Sequence, residues 1–251
     1  MTLFYILAAT LIGGVLSVVL AASLTQLVLV RLVPHLVSLS VGVLLGTALL
    51  HVLPEAFEQP GIDAHALFLT LLVGLLFFFL LEKAELYRHG HHHHDFDAKQ
   101  AGRGGMAVLV GDSIHNFCDG LIIAAAFLSS TELGVITAVA IITHEIPQEV
   151  GDYVVLINAG FSRRKALLYN ALSGLAAVVG GVLGYFLAAP FAAWFPYMLV
   201  AAASSFIYVA VADLLPQLQQ RLPWRATAAQ LGWIAGGLGL IMLSKGLPHM
   251  H

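Results

Sequence analysis

Long runs of apolar residues, each close to the length of a membrane-crossing helix, follow one another along nearly the whole chain. A helix needs about 20 predominantly apolar residues to cross the hydrocarbon core of a bilayer. The pattern predicts eight spans joined by short connections, of which only the third is long. The predicted spans cover residues 3–30, 36–57, 65–86, 105–128, 132–158, 165–189, 195–217 and 227–247.

The composition agrees with this pattern. Of the 251 residues, 59% are hydrophobic and 10% charged, and the mean hydropathy is +0.91. Soluble domains carry about 25% charged residues, so we predict an all-α integral membrane protein with one polytopic domain over residues 1–251. The first apolar run is too long for a signal peptide and is predicted to be an anchor. The single cysteine, Cys118, excludes an intrachain disulfide and is expected to be a small buried side chain rather than a soft metal ligand.

The basic residues predict the orientation of the chain. Ten of the eleven lysine and arginine residues fall in odd-numbered connections or beside them, and only Lys245 falls on the other side. Cytoplasmic loops of membrane proteins carry an excess of these residues. The odd connections are therefore expected in the cytoplasm and both termini outside it. Short loops and small size are typical of a bacterial protein, so the expected location is the inner (plasma) membrane.

Two neighbouring spans contain polar residues that do not suit a bilayer. They are the fourth span, around Val110–Phe127, and the fifth, around Ile136–Ile157. An ionisable group at membrane depth costs several kcal/mol and marks a functional site by default. The polar residues are Asp112, His115, Asn116, Asp119, His144, Glu145, Gln148, Glu149 and Asp152.

The spacing of these residues places them in rows on helix faces. His115 and Asp119 are four residues apart and share one face, as do His144 and Gln148 on the next span. A second row beside His144 is formed by Glu145 and Glu149. Two facing helices of this kind could present imidazole nitrogens and carboxylate oxygens to one or two divalent cations.

Pro147 interrupts the fifth span at this polar cluster. Proline has no N–H group to donate to the carbonyl of Thr143, and its ring disturbs the helix. We expect a bend that frees this carbonyl to face a cavity or a cation, because irregular backbone at membrane depth is tolerated beside a water-filled space. A plain kink without a role in binding is the alternative.

Further candidate ligands are expected near the ends of the spans and in the long connection. The secondary candidates within or beside spans are His51, Glu55, Asp112, Asp152 and Asp213. The third connection, residues 88–104, is a predicted cytoplasmic loop rich in histidine. Its candidates are His91, His92, His93 and His94. Short histidine tracts bind metal, so we predict a sensing or buffering loop, with an internal expression tag as the alternative.

The second and seventh spans hint at an internal repeat. Aligning Pro54 with Pro216 pairs His51 with Asp213, and Glu55 with Gln217. We predict an inverted repeat of spans 1–3 and 6–8 around a central pair formed by spans 4 and 5. Transporters are commonly built from such repeats, with the substrate site near the middle of the membrane.

Two motifs resemble those of the ZIP (Zrt/Irt-like) family of metal transporters. They are His115–Gly120 (HNFCDG) and His144–Asp152 (HEIPQEVGD), and the second is especially similar to the LIV-1 signature HExPHExxD. The resemblance extends to His51–Glu55 and to the whole pattern of eight spans, outside termini and a histidine-rich third connection. One departure is Gln148, which stands where the signature has its second histidine.

The resemblance implies a binuclear metal site between the fourth and fifth spans. One metal position would be lined by His115, Asp119, His144 and Gln148. The other would be lined by Asn116 and Glu145, with Asp119 and Gln148 as candidates for sharing. A neutral amide is a weaker ligand than imidazole, and Glu149 would compensate for Gln148 only if the kink at Pro147 rotates it inward.

The resemblance also implies uptake of divalent metal into the cytoplasm by a homodimer, through an elevator-like movement of one helix bundle past another. Zinc is the first expectation, and iron, manganese, cadmium and cobalt remain open. The expected partners are these ions, the lipid bilayer and a second copy of the chain, with no nucleic acid. Neither an enzyme activity nor a resident cofactor is expected, because the metal is cargo.

Three alternatives remain at this point. A cation-diffusion-facilitator exporter also uses His-x-x-x-Asp, but such proteins usually have six spans and a soluble C-terminal metal domain. An intramembrane zinc metalloprotease uses HExxH, but Gln148 replaces the second histidine and Pro147 disturbs the turn. A metal sensor or scaffold that does not transport is the third, although no soluble part is predicted to relay a signal.

Overall fold

A computed structural model describes residues 1–23, 26–59, 61–89, 98–188, 192–219 and 223–244, and within these ranges the regular structure is entirely helical. The helices are α1 (Thr2–Ser23), α2 (Gln26–Thr47), α3 (Leu53–Phe57), α4 (Ala64–His89), α5 (Ala98–Ser129), α6 (Thr131–Asn158), α7 (Arg163–Ala188), α8 (Phe195–Tyr208), α9 (Leu215–Leu218) and α10 (Trp224–Ser244). Wider π turns at Ala48–Val52 and Val209–Leu214 join α2 to α3 and α8 to α9.

Six helical stretches among the described residues are long and apolar enough to cross a membrane. They are Thr2–Leu20, Leu32–Phe57, Ala64–Leu81, Arg163–Leu187, Phe195–Leu218 and Trp224–Leu243. The prediction of an all-α membrane protein is confirmed. The polar helices α5 and α6 are not among the six, so the count of eight spans stays a prediction.

The first two helices depart from the predicted bounds of the first two spans. Residues 3–30 were expected to form one span, yet α1 ends at Ser23 and α2 begins at Gln26 rather than at residue 36. The apolar stretches themselves, Thr2–Leu20 and Leu32–Phe57, fall on either side of the predicted boundary. Arg31, expected in the first connection, consequently lies within α2.

The residues at both ends of the predicted connection 88–104 are helical. Helix α4 continues to His89 and α5 begins at Ala98, because a helix can extend beyond the bilayer once polar helix-forming residues follow the apolar run. The candidate ligands His91, His92, His93 and His94 lie outside the described residues. Their role stays a prediction.

A short connection makes α5 and α6 antiparallel neighbours. Ser130 alone separates them, and its side-chain oxygen accepts a hydrogen bond of 3.0 Å from the backbone N–H of Leu133, which caps the start of α6. After α6 the chain turns through Gly160, whose φ of 86° favours glycine. The two polar rows therefore run along facing helices.

The long helices pack as two bundles. In one bundle α5 packs closely on α7, and α1 lies against α5, α6 and α7. In the other, α2 packs on α10 and α4 packs on α8. The two bundles meet along a seam where α2 lies against α6, and α5 touches α4 and α8. The site helices α5 and α6 belong to the first bundle and face the second.

Glycines allow the closest approach within the first bundle. A Cβ atom on Gly120 would overlap the backbone oxygen of Ala177, and one on Gly180 would overlap that of Phe117. Gly120 directly follows Asp119. The backbone that carries this aspartate is therefore held firmly against α7.

Candidate metal centre

Four side chains from α5 and α6 meet in the first bundle, and we call them the histidine group. They are His115, Asp119, His144 and Glu145, and one ligand atom from each lies within 4.8 Å of all the others. His144 Nε2 lies 3.2 Å from Asp119 Oδ2 and 3.3 Å from His115 Nε2. Glu145 Oε1 lies 3.6 Å from both imidazole Nε2 atoms.

These separations fit a small tetrahedral cation. Zinc ligands lie about 2.0–2.1 Å from the metal, which puts neighbouring ligand atoms of a tetrahedron about 3.3–3.4 Å apart. The longest ion-pair distance in the group, from His115 Nε2 to Asp119 Oδ2, is 3.8 Å. Neither carboxylate oxygen of Asp119 has a hydrogen-bond partner among the described residues, although Asp119 is buried. A cation would satisfy these oxygens.

The orientation of His144 suits it to metal binding. Its Nδ1 lies 3.1 Å from the backbone oxygen of Ala140, one turn earlier in α6. With a proton on Nδ1 donated to this carbonyl, Nε2 keeps a lone pair directed at the group, as is common for metal-binding histidines. The ring also packs edge-on against Phe206 of α8, so the second bundle covers its far side.

A second set of side chains adjoins the first, and we call it the carboxylate group. It consists of Asp112, Glu145 and Glu149, whose ligand atoms also lie within 4.8 Å of one another. Glu145 is thus shared by the two groups. The amide nitrogen of Asn116 donates to Asp112 Oδ1 at 3.1 Å, and Ser173 of α7 donates to Asp112 Oδ2.

Glu149 points inward, as compensation for Gln148 would require. It is fully buried, and neither of its carboxylate oxygens is in hydrogen-bond geometry with a donor among the described residues, although the Asn116 amide lies nearby. Its backbone oxygen accepts a 2.8 Å hydrogen bond from the Asn170 side chain of α7. A buried carboxylate without a donor is costly unless a cation or a proton neutralises it.

The carbonyl freed by Pro147 has a hydrogen-bond donor in a neighbouring helix. The backbone oxygen of Thr143 accepts a hydrogen bond of 2.8 Å from Ser40 Oγ of α2, across the seam. That this carbonyl also faces a cation stays a prediction. A buried backbone oxygen needs a donor, and a neighbouring helix supplies it.

A cavity of about 480 Å³ opens beside both groups along the seam. Its polar lining side chains are Asp112, His115, Gln148, Asp152, Asp213 and Gln217. The amide oxygen of Gln148 is buried without a hydrogen-bond partner among the described residues. The secondary candidates Asp152 and Asp213 therefore share one cavity with members of both groups.

The remaining candidates and some unpredicted residues complete the site. His51 is buried in the first π turn and Glu55 is half-buried in α3, and neither belongs to the two groups. The sequence interpretation missed Ser40, Asn170 and Ser173. Each is a polar residue inside an apolar helix, which is the same signal that revealed the fourth and fifth spans.

Long apolar helices around a buried cluster of imidazole and carboxylate groups define a helical membrane protein with a candidate metal centre. The profile of the ZIP zinc transporter family matches residues 84–245, and the chain belongs to this family. It is accordingly a multi-pass membrane protein of a family of transporters rather than enzymes, as the motifs predict.

Several curated relatives resemble the chain. Zinc transporter ZIP13 of Pongo abelii is 33% identical over 230 residues, which cover 84% of this chain and 66% of the relative. Zinc transporter ZIP10 of Homo sapiens is 38% identical over 132 residues, which cover 52% of this chain and 16% of the relative. Zinc transporter ZIP4 of Homo sapiens is 38% identical over 143 residues, which cover 55% of this chain and 22% of the relative. The chain thus matches less than two thirds of the length of these relatives.

Proposed function

We propose that this chain carries divalent metal ions, with zinc first, into the cytoplasm. The observation that supports this most is that the site is closed by apolar side chains on one side and opens into a cavity on the other. A carrier needs such an arrangement, because it exposes its cargo to one side of the membrane at a time.

The two sides of the site differ along both site helices. Beyond Asp119 in α5, most residues between Ile122 and Phe127 join the main apolar core, as do several residues of α6 that precede His144, between Leu133 and Ile141. In the other direction, Gly111 and Asp112 of α5 and Asp152 and Val155 of α6 line the cavity. The cavity therefore lies toward the start of α5 and the end of α6.

The orientation inferred from the basic residues makes this the cytoplasmic side. Residues 90–97, which precede α5, and the turn at Gly160, which follows α6, belong to the predicted cytoplasmic connections. The proposal therefore includes eight spans, termini outside the cytoplasm and the plasma membrane as the location. The described conformation is then the one from which metal leaves toward the cytoplasm.

Two metal positions are proposed between α5 and α6. The histidine group offers two imidazoles and two carboxylates, which suit zinc. The carboxylate group, with the nearby Asn116 amide, offers oxygen ligands, which suit harder ions such as manganese. Gln148 adds a weak neutral oxygen at the cavity wall, so that the cargo is held less firmly on its way out. Iron, cadmium and cobalt are further candidate cargoes, and no resident cofactor is proposed.

The two bundles are proposed to move past each other in an elevator-like manner. The repeat in sequence is accompanied by a repeat in backbone structure, since the N–H of Leu53 donates to Ala48 and that of Leu215 donates to Ala210, each across a π turn. Each turn is followed by a leucine and then a proline, Pro54 or Pro216. This likeness between α2–α3 and α8–α9 supports an inverted repeat. We also propose a homodimer, as the motifs imply.

The test is metal uptake into proteoliposomes, with zinc, cadmium, iron and manganese offered separately. Wild type is expected to show saturable zinc influx. His144→Ala is expected to abolish it, while His65→Ala, which removes a histidine exposed at the start of α4, retains it. Thiol labelling of cysteines introduced in either terminus and in the connection 90–97 measures the orientation of the chain.

The outcomes separate the alternatives. Saturable influx that His144→Ala abolishes supports the carrier. Efflux alone would replace it with an exporter, and absence of flux from folded protein that binds zinc would favour a sensor. Peptide cleavage that Glu145→Gln abolishes would indicate a protease.

A further inference from the structure

The seam between the bundles contains a hydrogen bond at an unusual place. Ser40 of α2 is fully buried, and its hydroxyl donates to the backbone oxygen of Thr143 at 2.8 Å. Thr143 lies immediately before His144 of the histidine group. Its carbonyl has no intrahelical donor four residues later, because Pro147 stands there without an N–H group.

The Ser40 hydroxyl has a second acceptor within its own helix. The backbone oxygen of Leu36, one turn earlier in α2, also lies 2.8 Å from Ser40 Oγ. A hydroxyl has only one proton to donate. When α2 and α6 separate, this proton can be donated wholly to Leu36, so the serine remains satisfied in either arrangement of the bundles.

We propose that the Ser40–Thr143 hydrogen bond holds the two bundles in the described, cavity-open state, and that it breaks whenever the bundles slide. This inference rests on the proposed movement of the bundles. Ser40 thereby acts as a positioning residue, since the acceptors of its hydroxyl are backbone oxygens rather than a candidate ligand. When the bond breaks, the Ser40 hydroxyl can still donate to the backbone oxygen of Leu36. Only the Thr143 carbonyl then needs a new donor, which is water or another group of the protein.

The chain offers a closely matched control in Ser38. It lies on the same helix, is equally buried, and donates to the backbone oxygen of Pro34 within α2 at 2.8 Å. Ser38→Ala therefore removes a buried hydroxyl and a local hydrogen bond from the same helix. Ser40→Ala removes the same atom together with the bond across the seam.

The population of the opposite state can be measured with a buried cysteine. Ala202 lies one turn from Phe206 on the same face of α8, and both side chains are buried where α8 meets the first bundle. In a Cys118→Ala background, which removes the native cysteine, Ala202→Cys reports opening of this face. Its rate of reaction with a small thiol reagent is proportional to the fraction of molecules in the opposite state.

Ser40→Ala is expected to raise the labelling rate of Ala202→Cys roughly 2- to 10-fold, the change in equilibrium that one net hydrogen bond produces. Ser38→Ala is expected to leave the rate within about twofold. Equal effects of both substitutions, or no effect of Ser40→Ala, would overturn the proposal.

Pro147→Ala gives a second test, which acts on the Thr143 carbonyl that accepts the bond. It supplies an N–H group that takes over the Thr143 carbonyl, so it is expected to raise labelling by itself. In this background Ser40→Ala is expected to change the rate by less than about twofold, because the bond is already lost. Independent, multiplicative effects of the two substitutions would argue against the shared bond.

The labelling experiment does not depend on transport. If the proteoliposomes take up no metal but Ser40→Ala and Ser38→Ala still differ, the bond across the seam stands and the proposed carrier fails. If uptake is normal and the two serine variants behave alike, the carrier stands and the bond has no role in selecting the state.

Discussion

The histidine group and the carboxylate group share Glu145 but differ in chemistry and in support. The histidine group joins two imidazoles to two carboxylates, all from α5 and α6. The carboxylate group contains oxygen ligands only, and its Asp112 is held by Ser173 of α7. Adjacent sites can therefore favour different cations, because nitrogen ligands suit zinc and oxygen ligands suit manganese.

The groups differ also in their access to the cavity. The His115 side chain is 15% exposed, whereas Glu149 is fully buried. Each group nevertheless has one member in the cavity wall, His115 in the first and Asp112 in the second. The carboxylate group also lies against α7, through Asn170 and Ser173. Substitutions that separate the two groups are the direct way to examine this difference.

The largest effect is expected for Glu145→Ala, because this residue is shared. We expect the affinity for both zinc and manganese to fall by more than about 100-fold, beyond the range produced by changes around a ligand. Equilibrium binding to purified protein in detergent measures this. Glu132→Ala, in the exposed first turn of the same helix, is the control. Affinities within about threefold of wild type would show that Glu145 is not a shared ligand.

His144→Ala is expected to change the affinity for zinc much more than the affinity for manganese. Zinc affinity is expected to fall about 100-fold, while manganese affinity stays within about threefold, because the carboxylate group keeps its oxygen ligands. Competition binding with the two metals measures the ratio. His35→Ala, which removes an imidazole that packs against Trp233 in the second bundle, is the control. An equal fall in the affinities for zinc and manganese would show that the two groups form one site.

Glu149→Gln is the reciprocal change. It preserves shape but removes the charge, so manganese affinity is expected to fall about 10-fold with zinc affinity changed less than about threefold. The same competition assay applies, with Glu58→Gln as a control for an exposed carboxylate outside both groups. A greater loss of zinc than of manganese would reverse the assignment of the groups.

Gln148→His is expected to add a nitrogen ligand to the histidine group. A third imidazole is expected to tighten zinc binding about 10-fold and to lower the maximal uptake rate, because release becomes slower. Uptake kinetics separate KM from kcat. Gln217→His places an imidazole on the α9 wall of the same cavity and is the control. If both variants give equal KM values, the amide of Gln148 lies too far from the metal to matter.

The smallest effect is expected for Ser173→Ala. Loss of its hydrogen bond to Asp112 should weaken manganese binding about threefold, the effect of one net hydrogen bond, without changing zinc. Ser204→Ala, which removes a buried serine bonded within α8, is the control. No difference between these variants would mean that α7 does not position the carboxylate group.

The sequence predicted the helices and most of the clustered side chains because both depend on local spacing. Apolar runs identified the spans, and the four-residue interval placed His115 and Asp119 on one face. The joint approach of His144 and Glu145 to one centre was not evident, since adjacent residues lie about 100° apart around a helix. Their meeting depends on the direction in which the longer glutamate side chain extends.

Features that depend on packing between helices were not predictable. The partner of the Thr143 carbonyl is Ser40, 103 residues away. The sequence marks Ser40 as a polar residue in an apolar span but does not identify the group to which it donates. The π turns before Pro54 and Pro216 likewise became visible only in the backbone.

The polarity of α5 and α6 has a consequence for biogenesis. A helix is released from the translocation machinery into lipid according to its own hydrophobicity, and aspartate near the centre opposes this release. The six apolar stretches are suited to entering lipid independently, whereas α5 and α6 are less so. They follow each other after a single residue, Ser130, and α5 packs on α7 through Gly120 and Gly180. Stable insertion of this pair is therefore expected to wait for the synthesis of α7, although both helices precede it in the chain.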